Sequence, residues 1–222
     1  QSPNLLHALI IIALLLFGST TNTVLAQNWN EIIKTVASDR DADDFFGNSV
    51  AISGDYAIVG AILEDVDTTG GNTLNQAGSA YIFKNDTGTW SEAQKIVASD
   101  RGIGDFFGIS VAISGNYSIV GAYYEDEDAA GINTSGTAGS AYIFENIVGT
   151  WSEVQKIVAS DRTTLDRFGF SVAISGENAL VSTPYEEHDT MGRNSNFVFE
   201  AGSAYFFSCK TWQIDVQTAC DS

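Results

Sequence analysis

Positive charge is what this 222-residue chain has least of: Lys and Arg number 10 against 28 Asp and Glu, a formal net charge of −18. Phosphate backbones and anionic membranes are gripped by clustered Lys and Arg, so the balance argues against nucleic acid and anionic lipid as partners. It is compatible with cation binding, a saline habitat or simple solubility. Histidine is nearly absent too. After Ala26 only His188 remains, and a Ser–His–Asp or Cys–His nucleophile would have to use it. The two cysteines, Cys209 and Cys220, both fall close to the C-terminal end. They could close a small terminal loop in an exported chain, or pair with something beyond a truncated C-terminus. No Cys/His spacing suggests zinc. Two prolines in the whole chain leave strand pairing almost uninterrupted.

The segment before Gln27 carries no Lys, Arg, Asp or Glu. Residues 5–17 form a nearly unbroken apolar run, followed by small and polar residues and Val24-Leu25-Ala26. That pattern reads as a signal peptide over residues 1–26, with Gln27 first in the mature chain. The usual start Met and basic segment are missing, so the N-terminus reads as clipped. The run is shorter than the roughly 20 apolar residues a membrane span needs, so no span is expected after cleavage. The alternative, a buried core helix, finds nothing helical later in the chain to pack against. A secreted or cell-surface location is expected.

What the chain has in abundance is repetition. The middle copy opens at Asp105-Phe106-Phe107-Gly108 and runs on through Ser110-Val111-Ala112-Ile113 to Val120-Gly121-Ala122. Its counterparts start at Asp44 and Asp166, equally spaced on either side, and Trp29, Trp90, Trp151 and Trp212 keep the same interval. A period of that size decides the architecture before any local reading does.

Each unit holds four short apolar runs rich in Val, Ile, Ala, Tyr and Phe. In the first copy they are residues 49–53, 56–61, 79–83 and 90–99, each bounded by turn residues as strands are. No later window sustains a helical period. Gly54, Gly115 and Gly176 each come first in a two-residue connection, supplying the positive φ of a primed hairpin turn. The second connection is longer and acidic, and the third strand is introduced by Ala-Gly-Ser-Ala-Tyr at 77–81, 138–142 and 201–205. The chain is therefore all-β. Four antiparallel strands in each of three units of about 61 residues point to β-propeller blades, since one such sheet cannot bury both its faces alone. An open β-solenoid and a β-sandwich are the alternatives. On the propeller reading Phe46, Phe107 and Phe168 fill the space between blades with Trp29, Trp90, Trp151 and Trp212. Gly47, Gly108 and Gly169 let backbone approach closely beside them.

Phe-Gly followed by Ser-Val-Ala-Ile, then Val-Gly-Ala about a dozen positions on, resembles the FG-GAP repeat, the blade unit of integrin α-subunit propellers and of many secreted bacterial surface proteins. The resemblance covers residues 29–212 in three copies; the domain reading is 27–212 for the repeats and 213–222 for a C-terminal segment. Gly60-Ala61-Ile62, Gly121-Ala122-Tyr123 and Ser182-Thr183-Pro184 each depart from the "GAP" triplet. Integrin-type repeats often place a calcium loop between the first two strands. Here a tight Gly turn stands there, so that site does not carry over. The copies are unusually alike: residues 88–101 and 149–162 differ only at Ala93 and Val154. Family propellers close with about seven blades, which implies a larger propeller than these three repeats. The chain then reads as a fragment, as one of several assembling copies, or as one with more blades downstream. The segment from Trp29 could act as the outer strand of a closing blade. The resemblance implies a binding or adhesion scaffold recognising extracellular protein or glycan through loops on one face. The alternatives are the accessory propeller of an extracellular hydrolase and a structural envelope repeat.

The long loop keeps an acidic pattern from copy to copy: Glu64, Asp65, Asp67 and Asn72; Glu125, Asp126, Asp128 and Asn133; Glu186, Glu187, Asp189 and Asn194. With Gly70, Gly131 and Gly192 among them, these are hard oxygens on a flexible turn, the ligands calcium prefers. Calcium is the one cofactor they suggest. The competing reading is a solvated, charge-repelling loop inherited by duplication. A second recurring set is Ser38-Asp39-Arg40 with Asp44, Ser99-Asp100-Arg101 with Asp105, and Ser160-Asp161-Arg162 with Asp166. It can pair ions or cap a turn, a structural role. The chain is expected not to be an enzyme. His188 occurs in one copy only, and the recurring carboxylates are expected on solvated loops where no burial raises a pKa. Sequons at Asn85, Asn116 and Asn133 matter only in a glycosylating host.

Overall fold

The computed structural model describes residues 28–132, 134–187 and 199–209. The chain divides into two compact units, Gln1–Lys34 and Thr35–Ser222. In the first, the described residues 28–34 have no regular structure, so the outer strand expected from Trp29 is not formed there, and Trp29 is 96% exposed rather than packed between sheets. Its described neighbours in that unit are exposed as well.

The second unit holds three antiparallel sheets and, among the described residues, no helix. The first is β1 (Phe46–Ser53), β2 (Tyr56–Ala61), β3 (Ser79–Asp86) and β4 (Thr89–Ile96), in sequence order. The next repeats it with β5 (Ser110–Ser114), β6 (Tyr117–Ala122), β7 (Ser140–Ile147) and β8 (Thr150–Ile157). The third is β9 (Ser171–Ser175), β10 (Asn178–Thr183) and β11 (Ser203–Ser208); the position of a fourth strand, with Trp212, lies outside the described residues. Among the described residues no helix is long and apolar enough to cross a membrane.

The first hairpin of each sheet turns as the glycine spacing requires. Ser53 pairs with Tyr56 and Ser114 with Tyr117, and the intervening Gly54 and Gly115 sit at φ +57° and +58°. Several boundaries differ from the sequence reading, β1 already starting at Phe46 and β4 at Thr89. β3 continues past Phe83 to Asp86, so the β3–β4 turn closes at Thr87-Gly88 with both residues at positive φ. β4 then ends at Ile96, and residues 97–99 leave the sheet and lead to the next one.

Alternation along the first strands sets the packing. Val111 and Ile113 of β5 are 8% and 7% exposed, in one cluster with Ile58, Ile82 and Ile96 of the first sheet. The second junction repeats this, with Ile119 and Ile157 against Phe168 and Val181. The first strands lie closest, Ser49 Oγ donating to the Gly108 carbonyl and Ser110 Oγ to that of Gly169, each at 2.7 Å. Sheets stacked face to face and joined through their first strands are propeller blades.

Phe107 and Phe168 are fully buried at these junctions, each burial contributing about 1.5–3 kcal/mol. Trp151 is 2% exposed and meets Tyr56 of the preceding sheet edge-on at 5.4 Å. Phe46 and Trp90 are only half-buried; they pack on the side of the first sheet that no other sheet covers. Gly108 and Gly169 are needed for close approach: a Cβ there would strike the carbonyls of Ser79 and Ser140. Gly47 has nothing within 4 Å of a built Cβ, and among the described residues no sheet precedes it.

Candidate functional site

Antiparallel order puts the 1→2 hairpins of all three sheets, and the 3→4 hairpins of the first two, at one end. The 2→3 loops and the connections between sheets gather at the other. The described members of both recurring sequence sets lie at this long-loop end.

There the structure corrects the expectation of solvated carboxylates. Glu64, Glu125 and Glu186 are 3%, 2% and 1% exposed, and Asp44, Asp105 and Asp166 are buried with them. Glu64 Oε2 lies 2.9 Å from the Tyr81 hydroxyl, and its Oε1 is 3.3 Å from Lys95 Nζ and accepts the Val66 N–H at 2.9 Å. Asp39 completes the set, 2.8 Å from Tyr81 Oη and 2.7 Å from Lys95 Nζ. In the next repeat Asp100, Glu125, Tyr142 and Lys156 reproduce these contacts. In the third, Tyr205 meets Asp161 at 2.7 Å and Glu186 at 3.5 Å. Each lysine is a single cation shared by two carboxylates, so a third carboxyl beside them is forced toward its neutral form. Burial first, then Glu125 alongside, push Asp105 up to about 7. Burial and Glu186 raise Asp166 to about 6, and Asp44 is raised by burial and by Glu64. Burial would raise Asp39 as well, but hydrogen bonds from Lys95 and Tyr81 outweigh it and hold that carboxyl low.

Asp44, Asp105 and Asp166 also cap the turns before their strands, accepting the N–H of Asp41, Gly102 and Thr163. Arg101 serves the sheet before its own: its guanidinium donates to the Asp65 and Asn72 carbonyls at 2.9 and 3.1 Å, and Arg162 donates to the Asp126 carbonyl at 2.8 Å. Ser99 donates through N–H and Oγ to Glu153 at 2.9 Å, as Ser38 does to Glu92 at 2.8 Å. The second recurring set thus ties loops and sheets together.

The described carboxylates of the first set are engaged by donors of the chain itself. Besides Glu64, bound inward, Asp65 Oδ1 accepts the Gln76 N–H at 2.7 Å, and Asp67 Oδ1 accepts the N–H and Oγ1–H of Thr69 and the Gly71 N–H. Those bonds, the Thr69 hydroxyl first, pull Asp67 down to about 2. Asp126 and Asp128 accept from Thr137, Ala130 and Ile132 in the same way. Among the described residues the one convergent carboxylate group is Asp100, Glu125 and Glu127, and Lys156 already stands 2.7 Å from Asp100 and 3.3 Å from Glu125. Asn133, His188, Asp189, Asn194 and Cys220 lie outside the described residues. Glu187 borders the cavity described next, and Cys209 is exposed at the end of β11.

Sequence reasoning passed over an aromatic surface at the same end. Phe106 packs on Tyr123 and Tyr124 at 5.8 and 5.1 Å between ring centres, Tyr123 on Phe170 at 5.9 Å. The Arg167 guanidinium sits 4.3 Å from the Tyr185 ring centre and 5.4 Å from that of Tyr124. Phe170 is 44% exposed and the other rings are half-buried. Beside them a cavity of about 210 Å³ is lined by Arg167, Tyr185, Glu187, Leu165, Phe199 and Glu200. The available signal was divergence between copies. Tyr123-Tyr124 replace Ile62-Leu63, Arg167 replaces Phe106, and Phe170 replaces Ile109, among other differences that fall mostly in the loops and turns. The buried network had a signal too, Tyr81 and Lys95 recurring one period on as Tyr142 and Lys156.

The FG-GAP repeat model matches residues 29–83, 90–144 and 151–207, each match running from the tryptophan ahead of one sheet to that sheet's third strand. No curated protein matches the chain at a significant level. Three consecutive matches over most of the chain, on stacked antiparallel sheets with Phe107 and Phe168 buried between them, make this a β-propeller-like repeat scaffold that belongs to the FG-GAP repeat family.

Proposed function

We propose that the chain is an exported, non-enzymatic binding scaffold, and that the aromatic surface at the long-loop end recognises an extracellular glycan. The observation that carries this reading is the Phe106, Tyr123, Tyr124, Phe170, Tyr185 and Arg167 cluster beside an acidic-rimmed cavity. Half-exposed rings stack on the apolar faces of sugars, and Arg with two carboxylates supplies hydrogen bonds to hydroxyls, the combination of apolar wall and few polar groups that small sites use. In a duplicated chain the repeated positions hold the fold, while the diverged positions are free to specify a ligand. Adhesion follows if the ligand sits on another cell or matrix. The buried carboxylates favour a non-catalytic role, since Tyr and Lys side chains already occupy them.

The test is binding of the purified chain to a glycan array, beside Tyr124→Ala and Arg167→Ala. The reading expects a narrow set of hits weakened at least about tenfold by either substitution, equivalent to about 1.4 kcal/mol. Hits that survive both substitutions overturn it. An empty glycan array with a protein ligand captured at the same residues moves the recognition to protein.

A further inference from the structure

The junction between sheets is built twice from the same surfaces, and among the described residues one half of it is left over at each end of the series. At both internal junctions the side of a sheet carrying Ile58 and Ile82, or Ile119 and Ile143, is covered by the Phe-Gly turn and first strand of the next. In the first sheet the residues equivalent to Val111 and Ile113 are Val50 and Ile52, which stand 69% and 67% exposed where their counterparts are 8% and 7%. In the third sheet Phe206 occupies the position of the fully buried Ile82 and is 82% exposed, with Ala173 and Ala204 open around it. Each uncovered surface is the complement of the other.

We propose that a second copy of this chain docks head to tail, its first sheet laid on the third sheet of its neighbour. The commitment to a second copy rests on continuity with the internal junctions. Ser49 binds the Gly108 carbonyl and Ser110 that of Gly169; Ser171 and Gly47 are the remaining members of those two sets. Gly78 bridges in parallel to Phe107 and Gly139 to Phe168; Gly202 and Phe46 remain, with Gly202 at φ +75° like its counterparts. Asn178 stands at the position from which Tyr56 meets Trp151, so that one aromatic contact is not reproduced. A head-to-tail contact uses two different surfaces and either closes a ring or extends as a filament.

Sedimentation velocity of the purified chain from about 1 to 100 µM tests this. The wild-type chain is expected to associate. Val50→Asp with Ile52→Asp, and separately Phe206→Asp, should each weaken self-association at least about tenfold, because each places charge in an apolar contact. All three sites are exposed, so the far-ultraviolet spectrum should stay that of a β-sheet protein. Should the charged variants unfold, Ile52→Asn and Phe206→Ser replace them with the same expected direction. Mixing the two variants should restore a species of twice the chain mass, since each keeps the surface that the other has lost. A monomer at every concentration overturns the proposal. So does association unaffected by either variant, or association lost in both and not restored on mixing, the behaviour of a contact made by like surfaces.

Discussion

The Tyr81 hydroxyl lies 2.9 Å from Glu64 Oε2, and one repeat later Tyr142 and Glu125 make the same contact at 3.1 Å. Strand β3 supplies the tyrosine and the loop after β2 the glutamate, so the bond fixes the start of the long loop to its own sheet. Removing the hydroxyl by Tyr142→Phe leaves Glu125 and Asp100 each short of a donor in a buried site, at a cost of about 1–3 kcal/mol. For a chain of this size the midpoint should fall about 2–4 °C per kcal/mol. Tyr117→Phe, whose hydroxyl makes a 3.3 Å contact with Glu145 at the hairpin end, should shift it little. Calorimetric scans of the two variants compare them directly.

Asp105 carries a pH dependence of definite sign. Its carboxyl titrates at about 7 in the folded chain against an ordinary 3.8, so folding takes up a proton that the unfolded chain has released. Stability from this group is complete below about pH 4 and is lost as pH rises toward 7. Asp105→Asn keeps an acceptor for the Gly102 N–H and a donor toward Glu125 without the titration. The wild-type midpoint should therefore fall relative to the variant between pH 5 and pH 8. Parallel curves would remove Asp105 from the account.

Two glycines at positive φ separate conformational strain from close approach. Gly115 at φ +58° has nothing within 4 Å of a built Cβ, and Gly115→Ala should cost about 1–2 kcal/mol from backbone strain alone. Gly139 at φ +84° would drive a Cβ into the Phe168 backbone. Gly139→Ala should cost about 3 kcal/mol or more because the second junction must open. Denaturant midpoints at constant slope measure both.

Calcium should not stabilise the described repeats, since Asp65 and Asp67 are taken up by backbone N–H groups and Glu64 by Tyr81 and Lys95. Free calcium at about 100 times a site's dissociation constant would otherwise add about 2.7 kcal/mol. Thermal scans with calcium and with chelator should coincide.

The strand framework was legible in the sequence because its signals are local: a glycine at one turn position, apolar alternation between turns, and a fixed period. Burial of Glu64 was not legible. An acidic loop reads as solvated until Tyr81 and Lys95, from later strands of the same unit, are brought over it by the register of β3 and β4. The exposure of Trp29 escaped for a related reason. Its sequence matches that of the outer strands at Trp90 and Trp151, and a local pattern does not reveal that residues 28–34 form no regular structure. The aromatic surface joins residues from 106 to 185 across two sheets, so no single window contains it; only comparison of the copies exposes its members.

Recognition through the long-loop end is the central claim, and hydroxyl-radical footprinting of the chain with and without its array-selected glycan tests it most directly. Aromatic rings are the side chains this reagent marks well, and they stand at both ends of the sheets. The account predicts protection of Phe106, Tyr123, Tyr124, Phe170 and Tyr185, with Tyr56 and Tyr117 at the hairpin end unchanged. Protection of Tyr56 and Tyr117 with the long-loop rings unaffected would contradict it.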